Sequence, residues 1–115
     1  MSQITTHILD TSLGKPARDV PIELFHLDQE QWQSIGKGHT NLDGRVGDLL
    51  PNEHILDSGT YRLRFDTESY YRSQSSNGDP FYPYVDIVFR VDGGGEHYHI
   101  PLLLNPFGYS TYRGS

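Results

Sequence analysis

The stretch that most constrains this chain is Glu96-His97-Tyr98-His99-Ile100-Pro101-Leu102-Leu103-Leu104, followed by Asn105-Pro106-Phe107-Gly108 and then Tyr109 to Ser115. Asn-Pro and Gly punctuate it as a turn between two extended segments, so it reads as a β-hairpin. Side chains alternate across a strand, which puts Tyr98, Ile100, Leu102 and Leu104 on one face and His97, His99, Pro101 and Leu103 on the other. The first face is uniformly apolar and has to find a core. The two imidazoles are thereby turned away from it. On the returning segment Gly108, Ser110, Tyr112 and Gly114 alternate with Tyr109, Thr111 and Arg113. The hairpin is therefore expected to gather two imidazoles, a hydroxyl and a phenol on one surface.

The rest of the chain is extended too. Gln3 to Asp10 alternates, with Ile4, Thr6 and Ile8 on one side and Thr5, His7 and Leu9 on the other. A loop over 11–19 leads to a strand from Val20 to Leu27, and Trp32 to Gly38 forms a third. Asn41-Leu42-Asp43-Gly44 carries an Asp-Gly turn signal that launches Arg45. Gly59 to Asp66 is a strand with Tyr61, Leu63 and Phe65 inward. Thr67 to Gln74 is the one plausible helix, with Thr67 as its N-cap, and Ser75 to Pro80 ends it. Tyr82 to Val91 is a further strand, with Val85, Ile87, Phe89 and Val91 on one face. About seven or eight short strands at even spacing with one brief helix is the pattern of an all-β two-sheet sandwich.

With 115 residues the chain is a single domain over 1–115. A formal charge of −6 with only nine scattered Lys and Arg argues against a nucleic-acid or anionic-membrane surface. The chain has no cysteine, which removes a thiol nucleophile and a Cys-based zinc site and fits a reducing compartment. Without a secretory leader or a membrane-spanning apolar run, the expected location is the cytoplasm.

Three histidines fall on strands, His7, His97 and His99, whereas His26, His39 and His54 read as ordinary strand-end or loop residues. Two imidazoles on one strand face suit proton transfer, because imidazole titrates near physiological pH. Zinc would need a third ligand from His7 and has no accompanying carboxylate motif, so no metal is expected. A serine triad lacks both its Gly-x-Ser-x-Gly elbow and an aspartate partner. Arg45 is equally readable as a plain surface charge.

Thr6-His7-Ile8-Leu9-Asp10-Thr11-Ser12 with Gly14-Lys15-Pro16-Ala17, together with the ending Tyr109-Ser110-Thr111-Tyr112-Arg113-Gly114-Ser115, resembles the signatures of the transthyretin-like proteins, specifically of their branch that hydrolyses 5-hydroxyisourate in urate degradation. The resemblance spans essentially the whole chain, and Tyr-Arg-Gly-Ser at its end separates that branch from the hormone carriers. One small departure is Asn105, where a serine is common. The resemblance implies a transthyretin-like β-sandwich of about eight strands with one short helix. It implies a homotetramer whose sites lie at the dimer–dimer interface, and a hydrolase that needs no cofactor. It assigns His7, Arg45 and His99 as catalytic and puts Tyr112, Arg113 and Ser115, in the terminal tetrapeptide, at the substrate; strand parity with His99 adds Ser110 and, in a supporting role, His97. The alternative is a carrier that holds a small aromatic ligand without turning it over.

Overall fold

The computed structural model describes residues 2–74 and 80–115, and in them the expected two-sheet sandwich is present. Its elements are β1 (Ile4–Asp10), β2 (Lys15–Pro16), β3 (Pro21–Asp28), β4 (Gln31–His39), β5 (Arg45–Val46), β6 (Gly59–Phe65), α1 (Thr67–Ser73), β7 (Val85–Val91), β8 (Tyr98–Asn105) and β9 (Gly108–Thr111). One sheet runs β2-β1-β8-β9 with β5 paired to β1, and the other runs β4-β3-β6-β7. Strands β1 and β8 are parallel neighbours, with Thr5 opposite His99 and His7 opposite Pro101. That pairing joins segments more than ninety residues apart in sequence and defines the site.

The core is where period-two alternation puts it. Ile4 and Ile8 of β1, Tyr98, Ile100, Leu102 and Leu104 of β8, and Tyr61, Leu63 and Phe65 of β6 are all buried, and Val85, Ile87 and Val91 of β7 join them. Burying a side chain of this size stabilises the fold by about 1.5–3 kcal/mol, so these faces fix the register of both sheets. His97 is exposed and His99 half-buried on the opposite face of β8. No helix among the described residues is long and apolar enough to cross a membrane.

Three local expectations are corrected. The 11–19 loop contains the two-residue strand β2, which pairs with Leu9 and Asp10. The N-cap of α1 is Asp66, whose Oδ1 accepts from the Ser69 N–H at 3.1 Å, and not Thr67. The Thr67 hydroxyl donates instead to the Tyr82 carbonyl at 2.9 Å, and the Glu68 N–H donates to the Pro83 carbonyl at 3.0 Å. Those contacts hold 82–83 against the helix. Pro83 has no N–H for a ladder, so the expected strand at Tyr82 starts only at Val85. The segment expected to end the helix, Ser75 to Pro80, lies outside the described residues except for Pro80.

Behind the helix, Asp10 is buried at the end of β1 and accepts hydrogen bonds from the Ser12 N–H and hydroxyl, the Leu13 N–H and, at 2.6 Å, the Tyr70 hydroxyl. This carboxylate ties the β1–β2 turn to α1. Burial and the Asp10 charge push the Tyr70 hydroxyl well above its ordinary range.

Candidate active site

Arg45 reaches the histidines through a turn, and the turn is built to place it. Asn41 Oδ1 accepts from the N–H groups of Asp43 and Arg45, and the Gly44 N–H donates to the Asn41 carbonyl at 2.9 Å. Gly44 has φ +73°, and a methyl group there would stand 2.6 Å from the Ile8 carbonyl oxygen, so only glycine lets the turn press onto β1. The Ile8 N–H closes the contact by donating to the Gly44 carbonyl at 2.8 Å. As a result Arg45 pairs directly with His7 across the β1–β5 ladder.

On the neighbouring strand, Thr5 stands opposite His99 and its hydroxyl lies 2.9 Å from both His97 Nε2 and His99 Nδ1. The two imidazoles stack at 6.4 Å with an interplanar angle of 21°. Arg45, Thr5, His97, His99 and Ser115 line a cleft of about 230 Å³ between β5 and β8. That is smaller than the ~300 Å³ at which pockets for drug-sized ligands begin, and suits a compact solute.

Positive charge is disfavoured on His7 and His99. Burial, then the Arg45 guanidinium, hold His7 below its ordinary value of 6.5, with a backbone hydrogen bond at Asp43 and the Asp43 charge pulling the other way. Burial, then Arg45, then His97 and His7 lower His99 in the same sense. Both shifts favour the neutral ring, the form in which each can accept a proton. Arg45 supplies a planar fork of donors.

Not every expected residue arrives here. Arg45, His97, His99 and Ser115 line the cleft, while His7 is not among its lining residues and stands beside it as the cross-strand partner of Arg45. Ser110 stands opposite Leu103 on the same face, four residues along β8 from His99, or about 13 Å at strand rise. Tyr112 departs from the surface that alternation assigned it. The ladder stops at Thr111, whose hydroxyl donates to the Pro101 carbonyl at 2.7 Å. Tyr112 and Arg113 then border a separate cleft of about 340 Å³ with Ile87, Phe89, Tyr98 and Ile100. The Arg113 guanidinium lies over the Tyr98 ring at 4.7 Å and 3.5 Å from Glu96 Oε1. The chain returns to the site at Gly114, which bridges to His99. Thr5 was not singled out from the sequence, although it has the same strand parity as His7. Among the described residues, no three His, Cys, Asp or Glu side chains converge as a metal site. His26 stacks on Tyr61 at 4.6 Å, away from the cleft.

A two-sheet sandwich with a parallel β1–β8 pair and a His-His-Arg cleft on its non-core face defines the class to which this molecule belongs. Residues 4–114 match the HIUase/Transthyretin family, and the chain is a member of it. It is 44% identical to a 5-hydroxyisourate hydrolase of Mus musculus, over 99% of this chain and 96% of that one. Among solved structures it superposes on the 5-hydroxyisourate hydrolase of Klebsiella pneumoniae with a TM-score of 0.84 at 32% identity, covering all of both chains. It also superposes on sea bream transthyretin in complex with thyroxine, with a TM-score of 0.88 at 31% identity over 98% of this chain and 95% of that one. Enzyme and carrier thus share the backbone, and the side chains of the cleft have to distinguish them.

Proposed function

We propose that this protein hydrolyses 5-hydroxyisourate to 2-oxo-4-hydroxy-4-carboxy-5-ureidoimidazoline in urate degradation. The observation that carries this reading is the position of one guanidinium, Arg45, which pairs across the ladder with His7 and shares the cleft with His99. Ring opening at a cyclic amide needs a base for water, charge stabilisation at the attacked carbonyl and a proton for the leaving nitrogen. His7 and His99 carry the proton work between them. Water adds to the carbonyl as one imidazole takes its proton, and Arg45 faces the oxyanion that forms. The carbon–nitrogen bond then breaks as the nitrogen receives a proton. Ser115 orients the substrate from the edge of the cleft.

A carrier of an apolar aromatic ligand gains nothing from this lining, because a guanidinium and imidazoles would lose water without finding partners on the ligand. The 44% identity to a hydrolase and the guanidinium and imidazoles that Arg45, His97 and His99 bring to the cleft both favour turnover.

The active form is a homotetramer with its sites at the dimer–dimer interface. In support, the cleft opens on the outer face of its own sheet, which a second copy can cover. Ser110, Tyr112 and Arg113 lie away from the cleft of their own chain, so contact between them and substrate requires the assembly. The absence of cysteine suits the cytoplasm. The test of the reading is loss of near-ultraviolet absorbance of freshly generated 5-hydroxyisourate, measured against its spontaneous decay. Acceleration proportional to protein supports it, and an unchanged decay overturns it.

A further inference from the structure

Thr5 holds a position that the ring-opening chemistry above does not use. It is buried on β1, directly opposite His99 in the parallel ladder, and its one hydroxyl lies 2.9 Å from His97 Nε2 and 2.9 Å from His99 Nδ1. A threonine hydroxyl has a single hydrogen. It cannot donate to both rings, so when it donates to one it accepts from the other. The tautomers of His97 and His99 are therefore coupled through one oxygen. Thr5 takes His99 Nδ1, which leaves Nε2 as the ring nitrogen free to meet substrate or water. His97, by contrast, is exposed.

Resting on the hydrolase reading, we propose that Thr5 is a positioning residue that makes His97–Thr5–His99 a proton relay, in which His97 stores the proton that His99 removes from water. The relay starts with His99 Nδ1–H donating to Thr5 Oγ1, Thr5 O–H donating to His97 Nε2, and His99 Nε2 bare. When water gives a proton to His99 Nε2, the Nδ1 proton passes to Thr5 Oγ1 and the Thr5 proton passes to His97 Nε2. His97 becomes the imidazolium. His99 is left neutral with its proton on Nε2, as a donor to the reacting groups. When His99 Nε2 gives its proton to the leaving nitrogen, the Thr5 proton returns to His99 Nδ1 and the His97 Nε2 proton returns to Thr5 Oγ1, which restores the start. No proton is gained or lost over the cycle.

The charges around the relay set its direction. Arg45 on β5 and His7 on β1 face His99, and both disfavour a second positive charge there. His97 lies at the solvent end. The neighbouring tail brings Arg113, which is paired with Glu96 Oε1, the same oxygen that accepts from the Tyr98 hydroxyl. Moving the proton from His99 to His97 therefore carries it from a half-buried ring to an exposed one.

Thr5→Val keeps the branched shape and removes the hydroxyl, and Thr5→Ser keeps the hydroxyl. On the full chain, nitrogen NMR of labelled histidine reads the tautomers without substrate. The wild-type protein is expected to hold His99 with its proton on Nδ1, Thr5→Val to release it to the Nε2–H form, and Thr5→Ser to restore it. Histidine spectra unchanged in Thr5→Val overturn the coupling, whatever the protein hydrolyses. In kinetics, Thr5→Val is expected to lose on the order of 10–100-fold in kcat with KM within about threefold, and Thr5→Ser to recover most of that loss. Equal kcat in Thr5→Val and wild type at matched assembly overturns the relay. A wild-type protein that shows the coupled tautomers but no turnover of 5-hydroxyisourate rejects the relay's catalytic role together with the hydrolase reading, while an active wild type with uncoupled histidines rejects the relay alone.

Discussion

Gly114 lies against the imidazole of His99. Its N–H donates to the His99 carbonyl at 2.8 Å, and a methyl group on Gly114 would stand 2.6 Å from His99 Cδ2. Gly114 thus walls one side of the His99 ring, and an added methyl group would have to displace it. Gly114→Ala should turn His99 out of position and lower kcat on the order of 10–100-fold, while the melting temperature changes little. Steady-state kinetics and a thermal melt on one sample check it. An alanine variant with wild-type turnover would show that His99 does not need this orientation.

The catalytic assignments make a second prediction. His7→Lys, His99→Thr and Arg45→Glu should each remove most turnover and leave the fold intact. None of the three belongs to the buried core of either sheet. Circular dichroism and kinetics on the purified variants decide this, and a normal rate in any one of them means that residue is wrongly assigned.

The pH dependence follows from the depressed imidazoles. Because burial and Arg45 lower His7 and His99 from 6.5, the neutral forms persist below that value and activity should be lost only as pH falls further. Arg45→Gln removes the positive charge, raises both groups and should move the acid limb of kcat/KM to higher pH. For stability, the unfolded chain binds more protons than the native one between the lowered values and 6.5, so stability rises with pH across that window. Melting temperature should be level above about pH 7 and decline below it. An acid limb unmoved in Arg45→Gln would remove the guanidinium as its cause.

Stability and chemistry can be separated at the other end of β1. Tyr70→Phe deletes the 2.6 Å hydrogen bond to the buried Asp10 carboxylate and should cost about 1–3 kcal/mol. Turnover per folded molecule should be unchanged. Denaturant unfolding with parallel kinetics tests both halves.

Deleting Tyr112 to Ser115 should abolish catalysis with little loss of melting temperature or assembly. The segment follows the last ladder pair of β9, yet Gly114 bridges to His99 and Ser115 lines the cleft. If the truncated protein melts early and dissociates, the tail is structural. An intact tetramer with full turnover would remove the tail from the site.

Much of this was legible in the sequence. Alternation alone separated Tyr98, Ile100, Leu102 and Leu104 from His97 and His99, because a one-residue slip would bury imidazole and expose leucine. The Asp-Gly turn marked Arg45. Its pairing with His7 could not be read, since β5 is two residues long and is held by the fit of Gly44 against the Ile8 carbonyl. Thr5 had the right parity on its own strand, but its partners come from a parallel neighbour more than ninety positions away. Tyr112 leaves the face that alternation gives it, because alternation holds only while a ladder continues and this one ends at Thr111. Asp66 took the cap from Thr67 because the carboxylate was free while the hydroxyl was engaged by Tyr82.

The most direct test of the central claim is the decay of freshly generated 5-hydroxyisourate with and without the purified protein, with the assembly state measured in the same buffer by light scattering. The account predicts a decay rate that rises in proportion to protein, carried by a tetramer and lost in His99→Thr. A decay indistinguishable from the spontaneous one, with the tetramer intact, would contradict it.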